Sequence, residues 1–183
     1  MRVFTSLPQP LTVRMDPRVT GTPAAWAQQF SLSQQIYEEL VATAPAAAQL
    51  EHVVTLLKGL EERAGQTSAA QPVAAAQARA TALLGQSEGR PNPLVAVPDS
   101  FSMVRGRLKT LLTAMQAADV APTPQQAEAV ADRCKAAAEL MRQWEQFKTT
   151  DVPSLNQHLR QAHLPEIDVA VPSGVGPTGD DEE

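Results

Sequence analysis

The sequence predicts an all-α protein: a four-helix, mostly antiparallel bundle with a short extra C-terminal helix, preceded by an orphan β-strand and followed by a disordered acidic tail. Three observations carry the prediction. Apolar residues recur at spacings of three and four through four separate stretches. Each stretch is bounded by residues that start or stop helices. Alanine is the commonest residue and aromatics are only 4% of the chain, a balance typical of helix-rich proteins. With 43% hydrophobic and 19% charged residues over 183 positions, the composition is that of one globular domain, or one domain with an appendage.

The first twenty residues break the helical pattern. Leu11, Val13 and Met15 alternate with Thr12, Arg14 and Asp16, the period of a half-buried strand. Pro10 can open that strand and Pro17 ends it, because proline has no N–H to give to a ladder. A lone strand needs partners, and no second strand pattern follows, so it reads as the last strand of a β domain whose other strands are missing.

At Thr22-Pro23 the period becomes helical, with a hydroxyl to cap and a proline where its missing donor costs nothing. Trp26, Phe30, Tyr37, Leu40 and Ala44 define the expected buried face, and Leu50, Val53, Val54, Leu57 and Leu60 continue it to a C-cap at Gly65. Pro45 interrupts, yet the phase shifts by only about one residue, which favours one kinked helix over two packed ones. A second helix spans about 68–84, with Ser68 as cap, Gly85 as stop and a thin face of Val73, Ala76, Ala80, Leu83 and Leu84. Its small residues predict close approach to a neighbouring helix. Residues 85–98 form a Gly- and Pro-rich connection.

The third helix is capped by Asp99 or Ser100 and carries Phe101, Val104, Leu108, Leu111, Leu112 and Met115 along one seam. The fourth opens with Thr123 as cap, Pro124 at its first position and Gln126 at the capping-box site. Its seam is Ala127, Val130, Cys134, Ala137, Met141 and Trp144. A short helix from Pro153 to His163 carries Leu155 and Leu159, and the acidic tail begins at 168.

Charge excludes more than it suggests. The net charge of −5 is largely that of Asp180, Asp181, Glu182 and Glu183, and the rest of the chain is nearly neutral. Between Arg133 and Arg160 the basic residues are interleaved with Asp132, Glu139, Glu145 and Asp151, so no basic stripe forms and no nucleic-acid partner is expected. No stretch reaches the roughly 18 apolar residues that would span a bilayer, and the N-terminus lacks the apolar core of a signal peptide.

Candidate chemistry is sparse. His158 and His163 stand about 140° apart on a helix, and His52 is remote from both, so surface histidines are expected rather than a metal site. Cys134, the single cysteine, excludes an intramolecular disulfide and reads as an inert core thiol. Glu38 with Glu39, Glu61 with Glu62, and Glu128 with Asp132 fall off the apolar stripes and lack the Glu-x-x-His pattern of di-metal bundles. Gly174 to Gly176 lacks the strand-to-helix context of a phosphate loop. The sequence therefore assigns no catalytic, cofactor-binding or metal-binding residue, and it implies no cofactor. Ala-, Leu- and Val-rich seams also fit intramolecular packing better than a lipid-facing helix.

Four stretches carry a family resemblance: QPLTVRMDPRV (9–19) followed by Trp26, Gln28, Gln29 and Phe30; the helix at 101–118; PTPQQ (122–126); and TTDVPSLNQHLRQAHLPEI (149–167). Over residues 9–167 the chain resembles the C-terminal helical region of large bacterial sortilin-like, BNR-repeat proteins, labelled glycosyl hydrolases or sialidase-like. The resemblance implies β-propellers and an immunoglobulin-like β domain upstream. Residues 1–20 would then be a remnant of that β domain, 21–167 the helical bundle and 168–183 the tail. Asp-box repeats and catalytic carboxylates of such proteins lie in the propellers, so no active-site residue carries over. Export or a place in the cell envelope is implied by the same resemblance. The leading expectation is a non-catalytic module for packing or protein interaction, with its own parent chain or another protein as partner. The alternative is an autonomous helical adaptor or scaffolding protein, which would gain nothing from an unpaired strand.

Overall fold

The computed structural model describes residues 10, 12, 14, 21–85, 98–117 and 119–171. They form α1 (Pro23–Ala64), α2 (Ala70–Leu84), α3 (Phe101–Gln116), α4 (Pro124–Gln146) and α5 (Val152–Gln161), with a π-helical turn at Phe147–Asp151 between the last two. No strand occurs among the described residues. Leu11, Val13 and Met15, which carry the expected strand, lie outside them, while Pro10, Thr12 and Arg14 are exposed.

α1 is a single helix through Pro45. The Thr22 hydroxyl accepts from the N–H of Ala25 at 3.2 Å, and Pro23 opens the first turn. Pro45 cannot donate to the carbonyl of Val41, which should weaken this turn. One turn away, Arg105 of α3 donates to the Leu40 carbonyl and to the Thr43 hydroxyl, both at 2.6 Å. Thr43 in turn donates to the Glu39 carbonyl at 2.7 Å. The weakened turn is thus braced from the neighbouring helix.

The expected buried face of α1 is wrong over its first half. Phe30 and Tyr37 are 69% and 60% exposed, Trp26 and Ala44 only half-buried, and Ile36 and Thr43 take the inner positions with Leu40 beside them. Apolar residues recur at helical spacing on both sides of this half-helix, and periodicity alone does not say which side meets α3. From Leu50 to Leu60 the expected face is the observed one.

The turn after α1 uses Gly65 in an ordinary right-handed conformation, φ −49°. Thr67, rather than the expected Ser68, supplies the hydroxyl before α2, accepting from Ala69 N–H at 3.2 Å. At the far end Gly85 has φ +76°, and a Cβ there would collide with the side chain of Ser100, so both conformation and space call for glycine. Ser100 caps α3, accepting from Met103 N–H at 3.4 Å. Asp99 pairs instead with Arg133 at 2.7 Å. On α4 the Thr123–Gln126 capping box is complete, with bonds of 3.2 and 2.8 Å.

The short C-terminal helix is not separate from α4. Val152 N–H reaches back five residues to the Phe147 carbonyl. Pro153, which has no N–H to continue an α ladder, follows at once. α5 ends in a Schellman motif: Leu164 N–H bonds the Leu159 carbonyl at 2.9 Å and His163 N–H the Arg160 carbonyl at 3.1 Å. His163 takes the left-handed position, φ 56°, that glycine usually fills.

Packing continues past the expected domain boundary at 167. Asn156 clamps the backbone of Ile167, donating to its carbonyl at 3.0 Å and accepting from its N–H at 2.8 Å. Ile167 is buried and Val169 packs against the core. Residues 172–183, including Gly174 to Gly176 and the terminal acids, lie outside the described residues.

The core is continuous. α1 packs against α2, α3 and α4, while α5 packs against α2. Leu50, Val53, Leu57, Val73, Leu108, Val130, Trp144 and Phe147 are all nearly or fully buried in it. α1 and α3 run in opposite directions: Gln29 donates to the Met115 carbonyl, and the Leu40–Thr43 turn meets Arg105.

Candidate functional site

Two features stand out on the described surface. The first is a cleft of about 410 Å³ between α2, the π-helical turn and α5. Phe147, Leu155 and Ala76 form its apolar floor, and Gln71, Arg79, Asp151, Ser154 and His158 its polar lip. The π turn sets this geometry, because its extra residue per turn re-aims Asp151 toward α2. Arg79 and Asp151 pair across the cleft at 2.7 Å.

Asp151, Ser154 and His158 follow at spacings of three and four, so all three line one side of the cleft. Among the described residues no hydrogen bond joins Ser154 to His158 or His158 to Asp151. A nucleophile needs a base within about 2.6–3.2 Å, and here the carboxylate is taken up by Arg79. The arrangement is a shallow groove crossed by a neutralising ion pair. The sequence pattern singles out only His158; the signal for the rest is the spacing of Asp151 and Ser154 from it.

The other candidates named from the sequence stand apart from one another in the fold. His163 is a helix cap and His52 is half-buried on α1. Among the described residues no three His, Cys, Asp or Glu side chains come together in a way that could hold a metal ion. Cys134 is half-buried rather than fully buried, and burial, with the nearby Glu39 carboxylate, pushes its thiol pKa up. A thiol so placed holds its proton at neutral pH. Glu38, Glu61, Glu62, Glu128 and Asp132 are exposed, but Glu39 is half-buried, a consequence of the altered face of α1.

The second surface is that other face of α1. Phe30, Tyr37 and Val41, 69%, 60% and 53% exposed, stand seven and four residues apart and so form one stripe. Ala27, Pro45 and Ala48 are exposed on the same side, and the Gln34–Glu38 hydrogen bond, 2.8 Å, borders it. Large exposed apolar side chains gathered on one face, unlike single scattered ones, mark an interaction surface. α1 is also long and apolar enough to cross a membrane by length and composition, though a third of its most apolar window is buried in the fold. Leu50, Val53 and Leu57, fully buried, are committed to the core.

No family model, curated protein or solved structure matches this chain.

Proposed function

We propose that the chain is a non-catalytic helical module that works by packing against protein through the outer face of α1. One observation carries the reading: Phe30, Tyr37 and Val41 present a stripe of large apolar groups that no described element covers. Burying such side chains contributes about 1.5–3 kcal/mol each, a drive toward a protein surface. In this reading the helices form a mostly antiparallel bundle from residue 21, with residues 1–20 as the edge of a preceding β domain and the final acids as a tail. The opposed directions of α1 and α3 support the bundle, as do the short connections from α1 to α2 and from α3 to α4. The runs at 9–19, 122–126 and 149–167 support a place at the C-terminal end of a BNR-repeat, glycosyl-hydrolase-like protein.

Hydroxyl-radical labelling tests the docking face. In the full chain, pure and in the extract of its source cells, Phe30 and Tyr37 should label several-fold more slowly than in the urea-unfolded chain. Labelling of both at the unfolded rate in both preparations would refute the reading.

A further inference from the structure

We propose that the outer face of α1 is a self-complementary seam on which a second copy of this chain docks, its own α1 running the opposite way. The proposal rests on the reading of this face as a docking surface and names the partner. Spacing, charge and area lead to it.

Ala27, Phe30, Gln34, Tyr37, Val41 and Ala44 follow one another at alternate steps of three and four, the seam positions of a coiled coil. The first five are exposed and Ala44 is half-buried, so this seam is additional to the one that Ile36 and Thr43 commit to the core. Reversed and laid on itself, it has one register that engages all six positions. Ala27 then faces Ala44 of the second copy, Phe30 faces Val41, and Gln34 faces Tyr37. A slide of one heptad leaves only four positions engaged. Two of the three pairs set a large side chain against a smaller one. A parallel pairing would set Phe30 on Phe30 and Tyr37 on Tyr37, and would align the two helix dipoles. A contact in which each residue meets the other's counterpart is the two-fold interface usual in homodimers.

From Pro23 to Leu50 α1 has no basic residue and only two acidic ones, Glu38 and Glu39. Glu39 is half-buried in its own fold, and the Gln34 amide donates to the Glu38 carboxylate at 2.8 Å, at the edge of the seam. A partner selected by charge finds no complement here, and a lipid surface calls for Lys or Arg along the margin. An identical face calls for neither. In the antiparallel register Glu38 stands opposite Ser33 of the second copy, so the two carboxylates do not meet.

In the single chain Phe30 and Tyr37 are 69% and 60% exposed, which leaves about 90–170 Å² of each aromatic side chain open. With the smaller members the seam offers roughly 400–500 Å² per copy, short of the about 1,200 Å² in total that stable complexes bury and in the range of weak, reversible ones.

The test is sedimentation and photocross-linking of the full chain. Sedimentation should show monomer–dimer exchange, half-complete at a concentration between about 10 µM and 1 mM. Val41→Glu, at an exposed position, should raise the dimer dissociation constant about tenfold or more with circular dichroism unchanged. Independently of that variant, p-benzoylphenylalanine replaces Phe30 in an equal mixture of ¹⁵N-labelled and unlabelled chain. Glu128, exposed on α4, carries the probe as a control. About half of the adducts should join the two isotopes, as random pairing of copies requires, and these should fall on residues 38–45. Mixed-isotope adducts on 27–33 mean a parallel pairing. A dimer that Val41→Glu does not weaken, or whose adducts lie outside α1, means that another face joins the copies. Either result overturns the proposal, as does a chain that stays monomeric to about 1 mM. The docking reading is then judged by radical labelling of Phe30 and Tyr37 in the cell extract: protection there means a different partner, and labelling at the unfolded rate in both preparations ends both readings.

Discussion

Arg105→Met tests the brace across the Pro45 turn. The guanidinium donates two bonds of 2.6 Å, to the Leu40 carbonyl and to Thr43, whose side chain is 1% exposed. Hydrogen bonds from a charged donor contribute about 1.5–3 kcal/mol. Methionine keeps much of the aliphatic packing and removes both donors, while Thr43 retains its own bond to the Glu39 carbonyl. The expected loss is therefore about 1.5–3 kcal/mol in total, at the low end because one partner stays half satisfied. For a chain of this size that lowers the melting temperature by roughly 3–12 °C. Thr43→Val and the double variant complete a cycle, followed by denaturant unfolding. A coupling of about 0.5 kcal/mol or more between the two sites is expected of residues in direct contact. Additivity within about 0.3 kcal/mol would show that Arg105 does not hold this turn, and the pairing of α1 with α3 would need another register.

Three further expectations follow from single side chains. Ile36→Ala should cost about 2–5 kcal/mol and Tyr37→Ala less than about 1, since Ile36 is fully buried and Tyr37 is 60% exposed; the reverse order in urea unfolding would restore the face expected from periodicity. His163→Val, a β-branched residue forced to φ 56°, should destabilise by about 1–2 kcal/mol while His163→Gly is tolerated, and equal melting of the two would remove the left-handed cap. Glu139 accepts hydrogen bonds from Arg142 and Gln143 that lower its carboxyl from 4.5 to about 2, so its contribution is present above the ordinary carboxylate range and lost as pH falls from 4.5 toward 2. Arg142→Ala should raise the value measured by NMR from about 2 part of the way toward the ordinary carboxylate range, the Gln143 bond keeping the rest of the shift, with little change in melting at neutral pH because the pair is exposed; a titration that does not move would contradict the bidentate bond.

Helix ends were legible in the sequence because caps are local. Thr22, Ser100, Thr123 with Gln126, and Gly85 each act on groups within four residues of themselves, and the structure uses all of them as the pattern implies. The seams of α3 and α4 were legible too, since polar residues fill their opposite faces and leave one way to bury Val104, Leu108, Val130 and Trp144. The cleft was not. Arg79 and Asp151 are 72 residues apart in sequence, and only the π turn and the packing of α5 on α2 bring them to 2.7 Å.

The sequence by itself determined that this chain is helical and where most of its helices start and stop, because hydrogen-bonded turns and their caps are settled among near neighbours. Tertiary packing decided which face of the first half of α1 is inside. Leu32, Ile36 and Leu40 on one side and Phe30, Tyr37 and Val41 on the other satisfy the same period. The choice fell to groups distant in sequence: Arg105 reaching the Leu40–Thr43 turn, and the Met115 carbonyl reaching Gln29. Periodicity finds the stripes of a helix, but only the neighbour that arrives from elsewhere in the chain selects the one that is buried.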